Sequence, residues 1–216
     1  MRKKNSVRQQ SLGVMPADER VCVTFYDKNG ELLLESYAYE VGFLRFNWHP
    51  SLEIMLVLAG SLTAYTEHGI FDMQKDDLIV INPNEGHASM LHTPGTIAMV
   101  LHISQSCLEE LCGNSNLPVF YCNSTQESRY KTPFNLLRSS ISSIYYALAD
   151  RENQDKLFVL GQVCSSLSML VRNYSNGIPS QGELKLNARQ QNTVHSMVKY
   201  IDHHFREKVT LQDMAD

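Results

Sequence analysis

No apolar run in the chain approaches the roughly 20 residues that a bilayer-spanning helix requires, so a helical membrane protein is excluded. The basic opening "MRKKNSVRQQ" is not followed by an apolar segment and does not read as a secretory signal, which makes the cytoplasm the expected location. Positive charge is not in excess: the formal net charge is -4, which gives no electrostatic case for this stretch of chain gripping a phosphate backbone. Five cysteines are an odd number, and none forms a C-x-x-C pair, which argues against a disulfide framework and against a zinc knuckle. They read as reduced thiols. With 43% hydrophobic and 19% charged residues over 216 positions, the composition is that of an ordinary globular protein with one substantial core and an appendage, or two small domains.

What is present changes character along the chain. Residues 1–20 form a polar arm, expected to be mobile in isolation. From about 21 to 104, within a barrel expected over 21–110, short stretches alternate apolar and polar residues, as in "VCVTFYD", "ELLLESYAY", "SLTAYTEH" and "TIAMVLHIS". Turn signals at Asn29-Gly30, Gly60-Ser61, His68-Gly69 and Pro94-Gly95 separate them. Short strands joined by tight turns predict an antiparallel sandwich or barrel. Residues 111–176 then turn helical. Leu137, Ile141, Ile144, Tyr145 and Leu148 mark one amphipathic helix over 134–149, and Leu157, Leu160, Val163, Leu167, Leu170, Val171 and Tyr174 mark a second over 156–175. A Gly/Ser/Pro/Asn-rich linker occupies 177–188. A third helical pattern, Val194, Val198, Ile201 and Phe205, follows in 189–216. Thr210 and Asp213 then stand close to a capping box opening another helix. That helix reaches only Asp216, too short to bury a face of its own, so the natural protein is expected to continue.

The segment "YIDHHFREKVTLQDMAD" resembles the entry into the DNA-binding domain of the AraC/XylS transcription regulators. "HPSLEIMLVLAGSLTAYTEHGIFDMQKDDLIVINPNEGHASM" is similar to the effector-sensing cupin domain of that family. The resemblance implies a mostly β fold, a cupin-like antiparallel barrel (jelly roll), followed by an α-helical hairpin that makes a homodimer, and then an incomplete helix-turn-helix domain. It also implies a regulator and not an enzyme. DNA would be contacted only through a full-length C-terminal domain, and the arm is expected to fold over the pocket mouth when effector binds. The apolar stripe of the second helix, in which Cys164 joins the residues above, is wider than one barrel face needs and supports the dimer.

His49, Glu53 and Gly60 fit the H-x3-E-x6-G part of the cupin metal pattern. The rest departs from it: Asn47 replaces the first histidine of H-x-H, and in "PNEGHASML" Glu85 and Leu91 stand where the second motif has Gly and Asn. Two histidines and a carboxylate can form a facial triad for iron, but the supporting partners such a site needs are not identifiable from sequence, and no metal or other cofactor is assigned. Strand parity gives a pocket reading of the same residues. Glu53, Met55 and Val57 share a face, as do His87, Ser89 and Leu91, and Ala98, Val100 and His102; Arg45, Asn47 and His49 align if residues 43–49 are extended. Polar groups turned into a barrel are costly unless something pairs with them. Arg45, Asn47, His49, Glu53, His87, Ser89 and His102 are therefore candidates to bind a small polar effector, and a carbohydrate or another hydroxyl-rich metabolite would suit their donors and acceptors. The plainer alternatives stand beside this: His49 in a loop, Glu53 capping a strand, His87 following a proline turn. Competing functions are a metal-dependent cupin enzyme, an isomerase or dioxygenase, and a regulator whose cupin serves only to dimerise.

Overall fold

The computed structural model describes residues 22–42, 44–112, 118–125, 131–150 and 155–175, with 196, 197, 200, 203, 204 and 210 beyond them. Nine strands come first: β1 (Cys22–Tyr26), β2 (Leu32–Glu40), β3 (Leu44–Asn47), β4 (Leu52–Ala59), β5 (Ser61–Thr66), β6 (Gly69–Gln74), β7 (Leu78–Ile81), β8 (His87–Leu91) and β9 (Ile97–Ile103). Three helices follow: α1 (Gln105–Cys112), α2 (Thr132–Ala149) and α3 (Lys156–Tyr174). The strands form a five-stranded sheet, β1-β2-β9-β4-β7, and a four-stranded sheet, β3-β8-β5-β6. Every ladder is antiparallel. From β2 onward this is the strand order of a jelly roll, the double-sheet solution used by cupins. The expected cupin-like, mostly β fold is present, as two packed sheets.

Strand periodicity divides the five-stranded sheet between two cores. Ile54, Leu56, Leu101 and Ile103 belong to one buried cluster with Leu137, Ile141 and Ile144 of α2 and Val163, Leu167 and Leu170 of α3. The helices therefore cover the outer face of this sheet. The alternate residues, Met55, Val57, Ala98 and Val100, pack with Leu62, Ala64, Phe71 and Met73 of the other sheet to fill the space between the two. The β7 edge is covered as well: Val80 N donates to Cys122 O at 2.9 Å and Ser124 N to Leu78 O at 2.9 Å, which occupies backbone groups that would otherwise invite another strand.

The two expected helices are α2 and α3. Pro133 stands in the first turn of α2, where a missing N–H costs nothing, and Asp155 caps α3 by accepting from Phe158 N at 2.9 Å. The α3 stripe is only partly internal: Val163, Leu167, Leu170 and Tyr174 are buried, whereas Leu157 is 84% exposed and Cys164 and Val171 are also exposed. Helix α1 follows the β-rich stretch and straddles the expected end of the barrel at 110, where no helix was expected. Its eight residues bury only Cys107 and Leu108, too few to show a period, and Ser104 Oγ accepts from Cys107 N at its start.

The chain divides into two compact units, Met1–Gly177 and Ile178–Asp216. In the second, the described residues 196, 197, 200, 203 and 204 are helical, and His204 Nδ1 donates to Tyr200 O at 2.8 Å. Val194, Val198, Ile201, Phe205 and Asp213 lie outside the described residues, as do the arm at 1–20 and the linker at 177–188. No helix among the described residues is long and apolar enough to cross a membrane.

Candidate functional site

The register of the five-stranded sheet builds the site. Residue 102 of β9 pairs with Glu35 on β2 and with Glu53 on β4, so Glu35, His102 and Glu53 form a row across three adjacent strands. Parity turns this row the same way as Met55 and Val100, into the space between the sheets. From the opposite sheet, β3 and β8 pair Asn47 with His87. His49 follows β3 directly. Its position is fixed from two sides, because Asn84 N donates to His49 O at 2.9 Å and Trp48 Nε1 donates to Asn84 O at 3.0 Å. The turn before His87 is held by Glu85, whose Oε2 accepts from both the backbone N and the side-chain amide of Asn82.

Glu53 Oε2 is the point on which the side chains converge. His49 Nε2 and His102 Nε2 each stand 2.9 Å from it, and His87 Nε2 stands 3.5 Å away. All four residues are buried, at 5–6% exposure. The other ring nitrogen of each histidine faces an acceptor: Nδ1 of His49 meets Ser51 O at 3.1 Å, Nδ1 of His87 meets Glu85 O at 3.0 Å, and Nδ1 of His102 meets Glu35 Oε2 at 3.3 Å. The rings also touch one another, with His49 and His102 centroids 4.6 Å apart and His49 and His87 5.2 Å apart.

Burial alone would raise the Glu53 pKa, but hydrogen bonds from His102, His49 and His87 outweigh it and hold the carboxyl well below its ordinary range. Burial likewise opposes a charge on His102. The Glu35 and Glu53 carboxylates on either side overcome that and raise it to about 9. His87 is raised too, burial being outweighed by Glu53. The site is thus a buried carboxylate in a cage of imidazoles, and its charges are balanced by one another.

Of the seven residues expected from sequence, His49, Glu53, His87 and His102 come together in this cage. Ser89 is buried two positions along β8, and its Oγ has no hydrogen-bond partner among the described residues. Asn47 is half-buried beside His87 in register. The backbone of Arg45 pairs with Ser89, while its side chain lies outside the described part of the structure. Glu35 was missed. It sits in an alternating strand and looks like an ordinary outward polar residue, and only the pairing of β2 with β9 brings it to His102. Asn82 and Trp48 were missed as supports because their backbone partners, at Phe120 and Asn84, are distant in sequence; Glu85, which holds Asn82 three positions away, stands in the sequence only as a departure from the metal pattern.

The model of the AraC-like ligand binding domain matches residues 29–158, more than half of the chain. The chain belongs to that family. Among curated proteins none matches. Solved structures that overlap this AraC-like ligand-binding domain include oxalate decarboxylase of Bacillus subtilis, studied for its Mn(II) centres, at 21% identity and a TM-score of 0.31, covering 34% of this chain and 22% of that one. They also include the DMSP lyase DddQ of Ruegeria pomeroyi DSS-3, at 23% identity and a TM-score of 0.33, covering 42% and 51%. A cupin-2 domain containing protein of Shewanella frigidimarina overlaps at 17% identity and a TM-score of 0.30, covering 32% and 70%. The chain therefore spans about a fifth of the length of the decarboxylase, and its architecture is read from its own strand order.

His49, Glu53 and His87 present ligand atoms that all lie within 4.8 Å of one another, a spacing at which they could hold a metal ion. His102 Nε2 approaches the same carboxylate oxygen from the β9 side.

Proposed function

We propose that this chain is the effector-sensing and dimerisation region of a transcription regulator, in which a small polar molecule bound between the sheets controls DNA binding by a C-terminal helix-turn-helix domain. The observation that carries the reading is the family match over residues 29–158. It is supported by polar side chains buried in the sandwich, where an apolar filling would cost less. Ser89 Oγ, buried without a hydrogen-bond partner among the described residues, is the kind of group a hydroxyl-rich effector would satisfy. Effector binding would favour one arrangement of the dimer, and that population shift would reposition the DNA-reading helices.

The dimer reading draws on the outer face of the helical hairpin. Leu136 and Tyr146 of α2 and Leu157, Phe158 and Val171 of α3 are exposed apolar residues on two adjacent helices. A second copy of the chain would cover them.

The test is a thermal-shift screen of the chelator-treated chain against sugars and other small polar metabolites. A ligand at about 100 times its Kd stabilises the fold by roughly 2.7 kcal/mol. A shift that disappears in Ser89→Ala supports the sensor, and no shift with any metabolite counts against it. The convergent imidazoles favour a second reading, a metal-dependent cupin isomerase or dioxygenase; turnover of a small acid or sugar by metal-loaded protein would establish it.

A further inference from the structure

The turn between β7 and β8 touches the cage on one side and the end of the helical hairpin on the other. It is a closed unit: Glu85 N donates to Asn82 O at 3.1 Å, and Glu85 Oε2 accepts from Asn82 N at 3.0 Å and from Asn82 Nδ2 at 3.1 Å. Asn82 and Glu85 are both buried. Asn84 supplies the left-handed φ of +62°, which asparagine tolerates better than most side chains do. A turn bonded to itself in this way moves as a block.

On the cage side three bonds end on or start from the block. A carbonyl only accepts, so His87 Nδ1 donates to Glu85 O, at 3.0 Å. Asn84 N donates to His49 O, and Trp48 Nε1 to Asn84 O. On the other side the Asn82 side chain holds both backbone groups of Phe120: Phe120 N donates to Asn82 Oδ1 at 2.8 Å, and Asn82 Nδ2 donates to Phe120 O at 3.0 Å. Phe120 in turn forms an isolated antiparallel bridge with Ser175. Beside it Tyr121 N donates at 2.8 Å to the carbonyl of Tyr174, the last residue of α3. The first compact unit ends at Gly177, just beyond that bridge. A single bridge, unlike a ladder, can open without the loss of a strand.

We infer that the 82–85 turn couples the cage to the C-terminal end of α3, with Asn82 as the positioning residue. A shift of His87 on ligand binding moves the block, and through Phe120 it makes or breaks the bridge at Ser175, where the chain is about to leave the first unit. This route rests on the sensor reading, which gives it a purpose, and goes beyond it in naming the residues that carry the signal. Contacts that merely lie between two places are not a coupling; a coupling is the failure of two perturbations to act independently.

Hydrogen–deuterium exchange of the full chain, followed by mass spectrometry in peptides spanning 118–122 and 170–175, tests for that failure, with a peptide from β1 and β2 as reference. Asn82→Ala removes both bonds to Phe120 and should speed exchange at 118–122 about tenfold. A glutamine amide reaches the position of a histidine Nε2, and an asparagine amide that of Nδ1. His87→Gln therefore loses the donor to Glu85 O, whereas His87→Asn keeps it. His87→Gln should speed exchange in both peptides about threefold or more, and His87→Asn should leave them as in the parent. A residue that only filled space would give the reverse, because asparagine leaves the larger void. In the Asn82→Ala background His87→Gln should add nothing further. Exchange in His87→Gln equal to that of the parent overturns the proposal, and so do equal effects of the two His87 variants or effects that multiply in the double variant. If Asn82→Ala does not fold, Tyr121→Pro, which lacks the N–H that bonds Tyr174 O, is read at Trp48, the single tryptophan, whose Nε1 is bonded to the turn. Coupling acts in both directions, so a shifted emission maximum supports it and an unchanged one overturns it. A metabolite shift in the thermal screen with unmoved exchange in His87→Gln leaves the sensor standing and overturns the route; the full exchange pattern without any metabolite shift supports the route and counts against the sensor alone.

Discussion

Glu53 and His102 face each other across the β4–β9 ladder, and His102 Nε2 stands 2.9 Å from Glu53 Oε2. The contact is made inside the sandwich with both residues buried, so neither group can turn to water if the other is lost. That fixes the sign of the first prediction. Glu53→Gln keeps the volume but removes the charge and sets amide hydrogens against rings already aimed at an acceptor. In the metal-free chain it should destabilise by about 3 kcal/mol, toward the low end for a broken buried pair. Urea unfolding checks this, and a change under about 1 kcal/mol would mean that the cage is not held by its carboxylate.

The thiols give a second prediction. None of the five cysteines is in a disulfide; Cys107 and Cys122 are buried, and Cys22, Cys112 and Cys164 are exposed. Burial pushes the Cys107 thiol up to about 12, with Glu110 nearby adding to the shift, and burial raises Cys112 as well. A raised thiol pKa means less thiolate, so Cys107 should stay unmodified by an aromatic disulfide reagent at pH 8 until the chain unfolds. Of the two exposed thiols that line one surface cleft of about 270 Å³, Cys164 should react before Cys112. Peptide mapping after timed labelling gives the order. Early labelling of Cys107 would contradict the packing of α1.

The strand half of this fold was legible because its strands alternate and its turns carry glycine, and the hairpin because five residues of α2 and seven of α3 recur at helical spacing. Helix α1 was not, since two buried residues in eight show no period. The site was legible residue by residue but not as a set. Parity placed Glu53, His87 and His102 correctly on inward faces, because a strand's two faces follow from its own sequence. The partners of those residues do not: Glu35 is 67 positions from His102, and Nδ1 of His87 is satisfied by a backbone carbonyl that no side-chain pattern announces. The missing metal-pattern histidine at Asn47 pointed away from a cage that β9 completes from outside the motif.

Leu157 and Val171 lie on the outer part of the α3 stripe, at 84% and 44% exposure. If a second copy covers them, charge there should break the dimer without unfolding the protomer. Leu157→Lys combined with Val171→Glu is expected to convert a dimer to a monomer at micromolar concentration, measured by light scattering after gel filtration. Their exposure in the single chain predicts a protomer stability within about 0.5 kcal/mol of the parent. A wild-type chain that is already monomeric, or a double variant that remains dimeric, would remove the hairpin as the seam.

Gly60 is the glycine that closes H-x3-E-x6-G, and its role is steric. It has φ +74° between β4 and β5, a conformation that L side chains rarely adopt. A Cβ there would collide with Thr96 Oγ1 and stand 2.9 Å from Thr96 Cα. Thr96 cannot yield easily: it is fully buried, and its hydroxyl accepts from Ser61 N at 3.0 Å while its single proton has the carbonyls of Ser61 and Thr93 within reach. Gly60→Ala should therefore cost more than the roughly 1 kcal/mol of a left-handed alanine alone, about 2–4 kcal/mol with the clash included. Gly95→Ala is the matched control, with φ +77° and nothing within 4 Å of the added carbon. It should lose only the conformational part, and equal losses in the two variants by urea unfolding would show that the Thr96 contact does not matter.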